Sequence, residues 1–116
     1  MSVVNGFFQH QLTMKMYHFQ TKSYGAHKAA DAYLVKYAAN LDLFMEAWQG
    51  ANGRLTNNEV VIRFNTVNDN NVVAHLDDMV NFLLQLSGGN LSSDLAAIRD
   101  NMVADLQQLK YLLTFK

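Results

Sequence analysis

The sequence has no cysteine and no proline, few charged residues and a single tryptophan. Without cysteine the chain has no disulfide framework, no thiol nucleophile and no iron–sulfur ligand, so any bound metal must be held by histidine and carboxylate side chains. Nothing in the 116 residues breaks a helix as proline does, and 50% of the residues are hydrophobic. These features favour one helix-rich globular domain that spans residues 1–116.

The chain also lacks an excess of charge and a long hydrophobic run. Nine basic residues against ten acidic ones give a formal net charge of -1, which offers no overall field to attract nucleic acid or an anionic membrane. No apolar run approaches the roughly 20 residues of a membrane span, and the first residues lack a signal-peptide pattern. We therefore expect a soluble, cytoplasmic protein without a membrane or nucleic-acid partner.

Hydrophobic spacing predicts four helices. Their expected bounds are Val4 to about Lys22, about Ala26 to about Gln49, about Asn70 to Leu86, and Ser92 or Ser93 onward. Gly25 is expected to supply the backbone freedom for the first turn, and Gly53 to help end the second helix. His10 and His75 are interpreted as ordinary surface or edge histidines.

Each predicted helix has an apolar stripe that should face the core. The expected core residues are Val4, Phe8, Leu12, Met16 and Phe19, flanked by Phe7, Met14 and Tyr17, in the first helix; Ala30, Leu34, Tyr37, Leu41, Phe44 and Trp48 in the second; Val72, Leu76, Met79, Val80, Leu83 and Leu86 in the third; and Leu95, Ile98, Met102, Leu106, Leu109 and Leu113 in the fourth.

The connection between the second and third helices is unusually long. It runs from about Ala51 to about Asn68 and contains one β-like run, Val60 to Phe64. A segment of this length can cross a whole bundle and so allow the helices on either side of it to run parallel. Short, long and short connections predict an all-α, ferritin-like four-helix bundle with a long crossover between helices 2 and 3.

Potential metal ligands share one face of the second helix: His27, Asp31, Asp42 and Glu46. At about 100° per residue they fall within a sector roughly 100° wide. Val35 and Ala38 lie on the same stripe, which is therefore polar at both ends and small and apolar in the middle. Asp31 and Asp42 stand roughly 16 Å apart along a helix, so one helix cannot bring both to one metal.

A second copy of this helix would complete the site. A two-fold axis near residues 36 and 37 would bury the small residues and bring the His27–Asp31 pair of one chain to the Asp42–Glu46 pair of the other. Each dimer would hold two sites, and His18 is placed to join from the neighbouring helix. Imidazole and carboxylate ligands suit iron, with zinc or manganese as substitutes, and hard carboxylates with open positions favour iron that turns over.

The same residues resemble the ferroxidase signature of the Dps mini-ferritins. The pattern is His18-Phe19, then His27-x-x-x-Asp31, then Asp42-x-x-x-Glu46, over roughly the first half of the chain. The resemblance implies a homodimer, with the option of further assembly, that oxidises Fe(II) with hydrogen peroxide or oxygen for iron sequestration or oxidative protection. It also implies that His18, His27 and Asp31 of one subunit, and Asp42 and Glu46 of its mate, are the ligands and catalytic residues.

The whole chain, including YHFQTKSYGAHKAADAY and LKYLLTFK, also resembles a group of short ferritin-like proteins associated with phages and large DNA viruses, which implies a host cytoplasm or a virion. Phe19 stands where mini-ferritins have tryptophan, and a lysine-rich DNA-binding tail is absent. Two alternatives stay open. One is a non-catalytic assembly or virion and host-interaction module with a structural or vestigial metal site, and the other is a DNA-protecting particle.

Overall fold

A computed structural model of the chain describes residues 3–115, and these are almost entirely helical. The elements are α1 (Val3–Gln20), α2 (Tyr24–Asn52), α3 (Val72–Leu84) and α4 (Ser93–Leu112), with short 3₁₀-helices at Leu86–Gly89 and Leu113–Phe115. The prediction of an all-α chain with four helices is confirmed. Within the described residues, no helix combines the length and the apolar character that crossing a membrane requires.

Local chemistry sets both ends of α2. The Ser23 hydroxyl oxygen accepts a hydrogen bond from the Ala26 N–H at 3.1 Å and caps the first turn. Gly53 follows the last turn with a φ of 92°, a conformation that favours glycine, and its N–H donates to the Gln49 carbonyl. The prediction for Gly25 was wrong, because Gly25 lies inside the first turn of α2 and residues 21–23 make the connection.

Side-chain contacts define the directions of the packed helices. The pairs are Phe7 with Tyr37 and His18 with His27 across α1 and α2, and Lys36 with Gln108 and Asn40 with Asp105 across α2 and α4. In each set the residue number rises along one helix while it falls along the other. Both α1 and α4 therefore run antiparallel to α2.

Three of the four predicted core stripes face the interior. The expected core residues of α2, α3, α4 and the flanking 3₁₀-helices are buried, apart from Trp48, Val80 and Ile98, which are half-buried and pack against the core. Large aromatic and aliphatic side chains thus fill the space between the helices. Their burial is the main favourable term for the fold.

The predicted core face of α1 was wrong in part. Phe8, Leu12 and Phe19 are exposed. The buried face carries Val4, Gly6, Phe7, His10, Thr13, Met14, Tyr17 and His18. A stripe chosen by hydrophobicity alone could not find this face, because three of its side chains are polar. The interpretation of His10 as a surface or edge residue was wrong as well, since His10 is 1% exposed.

Residues 53–71 connect α2 to α3 without regular secondary structure. The β-like run at 60–64 forms no strand, because the described part of the chain offers it no strand partner, and a lone strand is not stable. The segment packs along α1 instead, where the Gln9 amide donates to the Arg63 carbonyl at 2.8 Å.

Asp69 attaches the end of this segment to the end of α1. Its carboxylate accepts hydrogen bonds from the hydroxyls of Tyr17 at 2.8 Å and Thr21 at 2.6 Å, and from the Lys22 N–H at 3.4 Å. Burial, followed by the hydrogen bond to Asp69, raises the pKa of Tyr17 to about 12, so the phenol remains a donor. One carboxylate therefore holds together the end of α1, the turn before α2 and the approach to α3.

We predict that Asp69→Ala lowers the free energy of unfolding by about 1–3 kcal/mol, because the Tyr17 hydroxyl loses its acceptor. Urea unfolding followed by circular dichroism measures this loss. Asp100→Ala is the matched control, since the exposed Asp100 carboxylate pairs with its neighbour Arg99 on the surface, and its loss should stay below about 0.5 kcal/mol. Equal losses in the two variants would contradict the role of Asp69.

Candidate functional site

The predicted metal ligands form two groups. His18 and His27 meet between α1 and α2, whereas Asp31, Asp42 and Glu46 are exposed on the outer face of α2. Within residues 3–115 of one chain, no three histidine, aspartate or glutamate side chains are grouped so that they could hold a metal ion. A site that uses all five residues requires a second copy of the chain.

His18 and His27 form a stacked pair with reciprocal hydrogen bonds. Their ring centroids are 4.0 Å apart, and their planes differ by 16°. The His18 Nδ1–H donates to the His27 carbonyl at 2.9 Å, and the His27 Nδ1–H donates to the His18 carbonyl at 2.7 Å. Because a carbonyl only accepts, both Nδ1 atoms carry the proton, and in the neutral rings each Nε2 keeps its lone pair.

Neither Nε2 atom of this pair is fully buried. Neither has a hydrogen-bond partner among the described residues, whereas every fully buried side-chain nitrogen or oxygen there has one. An imidazole whose Nδ1–H is held by a backbone carbonyl and whose Nε2 is open is typical of metal-binding histidines. The rim of the contact between α1 and α2 can therefore supply imidazole ligands.

The remainder of the predicted stripe faces outward. Val35 is 70% exposed, and the neighbouring residues of the stripe are also exposed: Asp31, Ala38, Asp42 and Glu46. The opposite face of α2, with Ala30, Tyr37 and Phe44, packs into the core. The outer face thus presents a small apolar centre with carboxylates on both sides, which is open to another molecule.

A second histidine pair lies inside the bundle, and sequence reasoning missed it. The Nδ1 of His10 is 2.9 Å from the Nε2 of His75, and the rings stack with centroids 5.0 Å apart. The His10 Nε2 is 2.7 Å from the Tyr33 hydroxyl. The three residues come from α1, α3 and α2, so they connect three helices through one network.

One local signal could have found His10. It follows Phe7 by three positions and precedes Met14 and Tyr17 by four and seven, which is the spacing of one helical face. Those three apolar residues are all fully buried. A histidine in the middle of such a face is therefore expected to be buried and hydrogen-bonded.

His10 and His75 line an open cleft of about 400 Å³ between α1 and α3, whose other polar residues include Gln9, Asn71 and Asp78. Burial, and then the neighbouring His75, keep the pKa of His10 well below its usual value. Burial also lowers the pKa of His75, although the Asp78 carboxylate opposes that shift. Both rings are therefore neutral at pH 7.

The chain belongs to a family of unknown function (DUF5856), whose model matches residues 18–113. The matched range contains all five predicted ligands and His75, and it begins at His18. Comparison with curated proteins and with solved structures found no match.

We predict that acid destabilises the protein through His10. The pKa of His10 is lower in the folded chain than its unfolded value of about 6.5. The unfolded chain therefore binds more protons as the pH falls, and stability is lost below about pH 6.5 with a slope of up to about 1.4 kcal/mol per pH unit from this group. His10→Gln should reduce the slope of unfolding free energy against pH, measured with urea between about pH 7 and pH 5. Identical slopes in the two proteins would contradict this assignment.

Proposed function

We propose that this member of the DUF5856 family is a ferritin-like protein that binds Fe(II) between two copies of its chain and oxidises it. In this proposal residues 53–71 are the long crossover of a ferritin-like bundle. The contacts between this segment and α1 support a crossover, because they follow one another in order from the start of α1 to its end. Leu55 lies beside Val4, Arg63 accepts a hydrogen bond from Gln9, and Asp69 accepts one from Tyr17.

The state of His18 and His27 is the observation that carries the proposal. Both imidazoles are held in the tautomer that leaves Nε2 free for a metal, and neither Nε2 atom is fully buried. One turn after His27, α2 presents the exposed carboxylate of Asp31. Imidazole beside carboxylate is a ligand set that suits Fe(II), with Zn(II) or Mn(II) as substitutes.

The second half of the site would come from the mate. In an antiparallel contact of two α2 helices, the Asp42–Glu46 pair of one chain lies opposite the His27–Asp31 pair of the other. The exposed side chain of Val35 and the small Ala38 would be buried near the axis, where they allow close approach. Each dimer would then hold two sites, and higher assembly would need further surfaces.

The proposed reaction treats iron as the substrate. Two Fe(II) ions each give one electron to hydrogen peroxide, which takes up two protons and leaves as two water molecules; oxygen is the other candidate oxidant. The carboxylates of Asp31, Asp42 and Glu46 would stabilise the higher charge of Fe(III), and His18 and His27 would fix the first metal position. The reaction would serve iron sequestration or protection from oxidants.

A second candidate is a non-catalytic assembly module, in which His18 and His27 simply tie α1 to α2. Exposed aromatic side chains favour it: Phe19, Tyr24, Tyr111 and Phe115 lie where α1 ends, α2 begins and α4 ends. Large exposed aromatic side chains are typical of an interaction surface. Phe19 also lacks the indole N–H that tryptophan would offer to a water at the site.

We predict that two inactive variants restore activity when their subunits are mixed. Asp31→Asn and Glu46→Gln should each fold and fail to oxidise iron. After joint unfolding and refolding, each mixed dimer has one intact site, because Asp31 of one chain meets Glu46 of the other. An equal mixture should regain about one quarter of native activity, measured as the rise of Fe(III) absorbance after Fe(II) and hydrogen peroxide are added.

The matched control mixes His27→Gln with Asp31→Asn. Both changes lie in the same half of the site, so every mixed dimer has a defect in each site and no activity should return. Recovery in the control, or none in the test mixture, would contradict a shared site. A native protein that neither oxidises Fe(II) nor binds Fe(II) or Zn(II) in calorimetry would leave the assembly module as the function.

We predict that Val35→Lys separates the dimer without unfolding the chain. Val35 is 70% exposed in the single chain, so lysine costs little there, but the proposed axis would bring two ammonium groups together. Light scattering should show a fall to the single-chain mass of 13.1 kDa. Leu43→Lys is the matched control, because Leu43 is 54% exposed on α2 away from the stripe and its variant should stay dimeric. A native protein of single-chain mass would overturn the shared site.

A further inference from the structure

Tyr33, His10 and His75 form a continuous hydrogen-bonded chain that the proposed iron site does not use. The Tyr33 hydroxyl lies 2.7 Å from the His10 Nε2, and the His10 Nδ1 lies 2.9 Å from the His75 Nε2. Tyr33 and His10 are buried, whereas His75 is half-buried on the wall of the cleft between α1 and α3. These hydrogen bonds therefore connect the buried phenol of Tyr33 to the solvent-accessible cleft at His75.

The need to satisfy every buried donor fixes the direction of these hydrogen bonds. Within residues 3–115 the Tyr33 hydroxyl has His10 as its hydrogen-bond partner, so it donates its proton to the His10 Nε2. The proton of the neutral His10 ring must then lie on Nδ1, from which it is donated to the His75 Nε2. His75 keeps its own proton on Nδ1. Each nitrogen that receives a hydrogen bond thus has a lone pair that can accept the proton itself.

We propose that Tyr33 is a redox-active tyrosine whose proton is managed by His10 and His75. A one-electron oxidant, such as the radical that forms when hydrogen peroxide reacts with Fe(II), removes one electron from the phenol of Tyr33. The phenolic proton moves to the His10 Nε2, and the Nδ1 proton of His10 moves to the His75 Nε2. The products are a neutral Tyr33 radical, a neutral His10, an imidazolium at His75 and the reduced oxidant.

The surroundings favour this transfer over simple loss of an electron. An oxidised phenol is a strong acid, and its radical persists only where a base takes up the proton, which His10 does at hydrogen-bond distance. The two-step transfer also avoids a buried positive charge, which would be costly. The charge instead arrives at His75, at the edge of a cleft that also contains the Asp78 carboxylate.

Tyr37 is the internal comparison that shows why Tyr33 is singled out. It is also buried, it lies one turn further along α2, and the two rings are 5.9 Å apart. The Tyr37 hydroxyl donates to the Phe7 carbonyl at 2.6 Å, and a peptide carbonyl is not a base at neutral pH. Both rings are buried, and the Tyr33 hydroxyl has a base as its acceptor whereas the Tyr37 hydroxyl does not.

Photo-oxidation of the 116-residue chain tests the proposal without any iron. The sample carries Tyr24→Phe and Tyr111→Phe, which remove the exposed tyrosines. It is illuminated with ruthenium tris-bipyridine and a cobalt(III) electron acceptor, frozen, and examined by electron paramagnetic resonance. We expect a tyrosyl radical signal that Tyr33→Phe abolishes and Tyr37→Phe preserves. Labelling histidine with the nitrogen-15 isotope should alter the hyperfine coupling of that signal, because the His10 ring is hydrogen-bonded to the oxygen that carries the radical.

A His10→Gln variant provides the second measurement. Glutamine can accept a hydrogen bond but is not a base, so the radical yield should fall on the order of a hundredfold, while circular dichroism confirms that the chain is folded. The proposal is overturned if the signal survives Tyr33→Phe, in which case Tyr17 or Tyr37 carries it, or if the Tyr33 signal shows no coupling to histidine nitrogen. An unchanged yield in His10→Gln would overturn it as well.

Discussion

The register of α1 against α2 is the constraint on which the other features of the structure depend. Three polar contacts fix it: the Tyr37 hydroxyl with the Phe7 carbonyl, the Tyr33 hydroxyl with His10, and the exchanged Nδ1 hydrogen bonds of His18 and His27. A hydrophobic contact tolerates sliding, but a buried donor that loses its acceptor costs about 1–3 kcal/mol. Three such contacts along one helix pair therefore specify a single alignment where apolar packing alone would allow several.

That alignment decides which residues stay open to other molecules. A one-residue shift of α2 that placed Asp31 where Ala30 lies and Asp42 where Leu41 lies would rotate the faces of the helix by about 100° and turn both carboxylates toward the core, where unpaired charges are costly. In the observed register, His27 lies at the rim of the contact between α1 and α2, and the carboxylates of Asp31, Asp42 and Glu46 face outward. The polar contacts inside the bundle thus create the outer surface on which the proposed dimer depends.

The sequence allowed the helices and most of the core to be predicted, because both follow from local periodicity. It failed for α1, where polar residues are buried. The partners of His10 are Tyr33 and His75, which lie 23 and 65 positions away, so no local window contains them. Residues 60–64 were predicted to be β-like from their local sequence alone, although residues 3–115 provide no second strand beside them.

The candidate site could likewise be predicted from the sequence only in part. The common face of His27, Asp31, Asp42 and Glu46 follows from the geometry of a helix, and in the structure the three carboxylates on that face are exposed. The tautomers of His18 and His27 depend on two backbone carbonyls from different helices, which a sequence does not place. The pairing of two copies of α2 depends on a second molecule, so it stays a prediction of both the sequence and the structure.

The two histidine pairs show how one residue type acquires two kinds of chemistry from the same helix register. Where α1 ends and α2 begins, each of the His18 and His27 rings lies against the carbonyl of the other residue, so both rings donate to the backbone through Nδ1 and each keeps one ring nitrogen open, as a metal ligand requires. Near the middle of α1 the His10 ring lies instead between the Tyr33 hydroxyl and the His75 ring, so both of its nitrogens pair with side chains. A ring with no open nitrogen is poorly suited to bind a metal, but a ring between a donor and an acceptor can pass a proton. The hydrogen-bond partners of each histidine therefore separate the proposed metal centre from the proposed proton path.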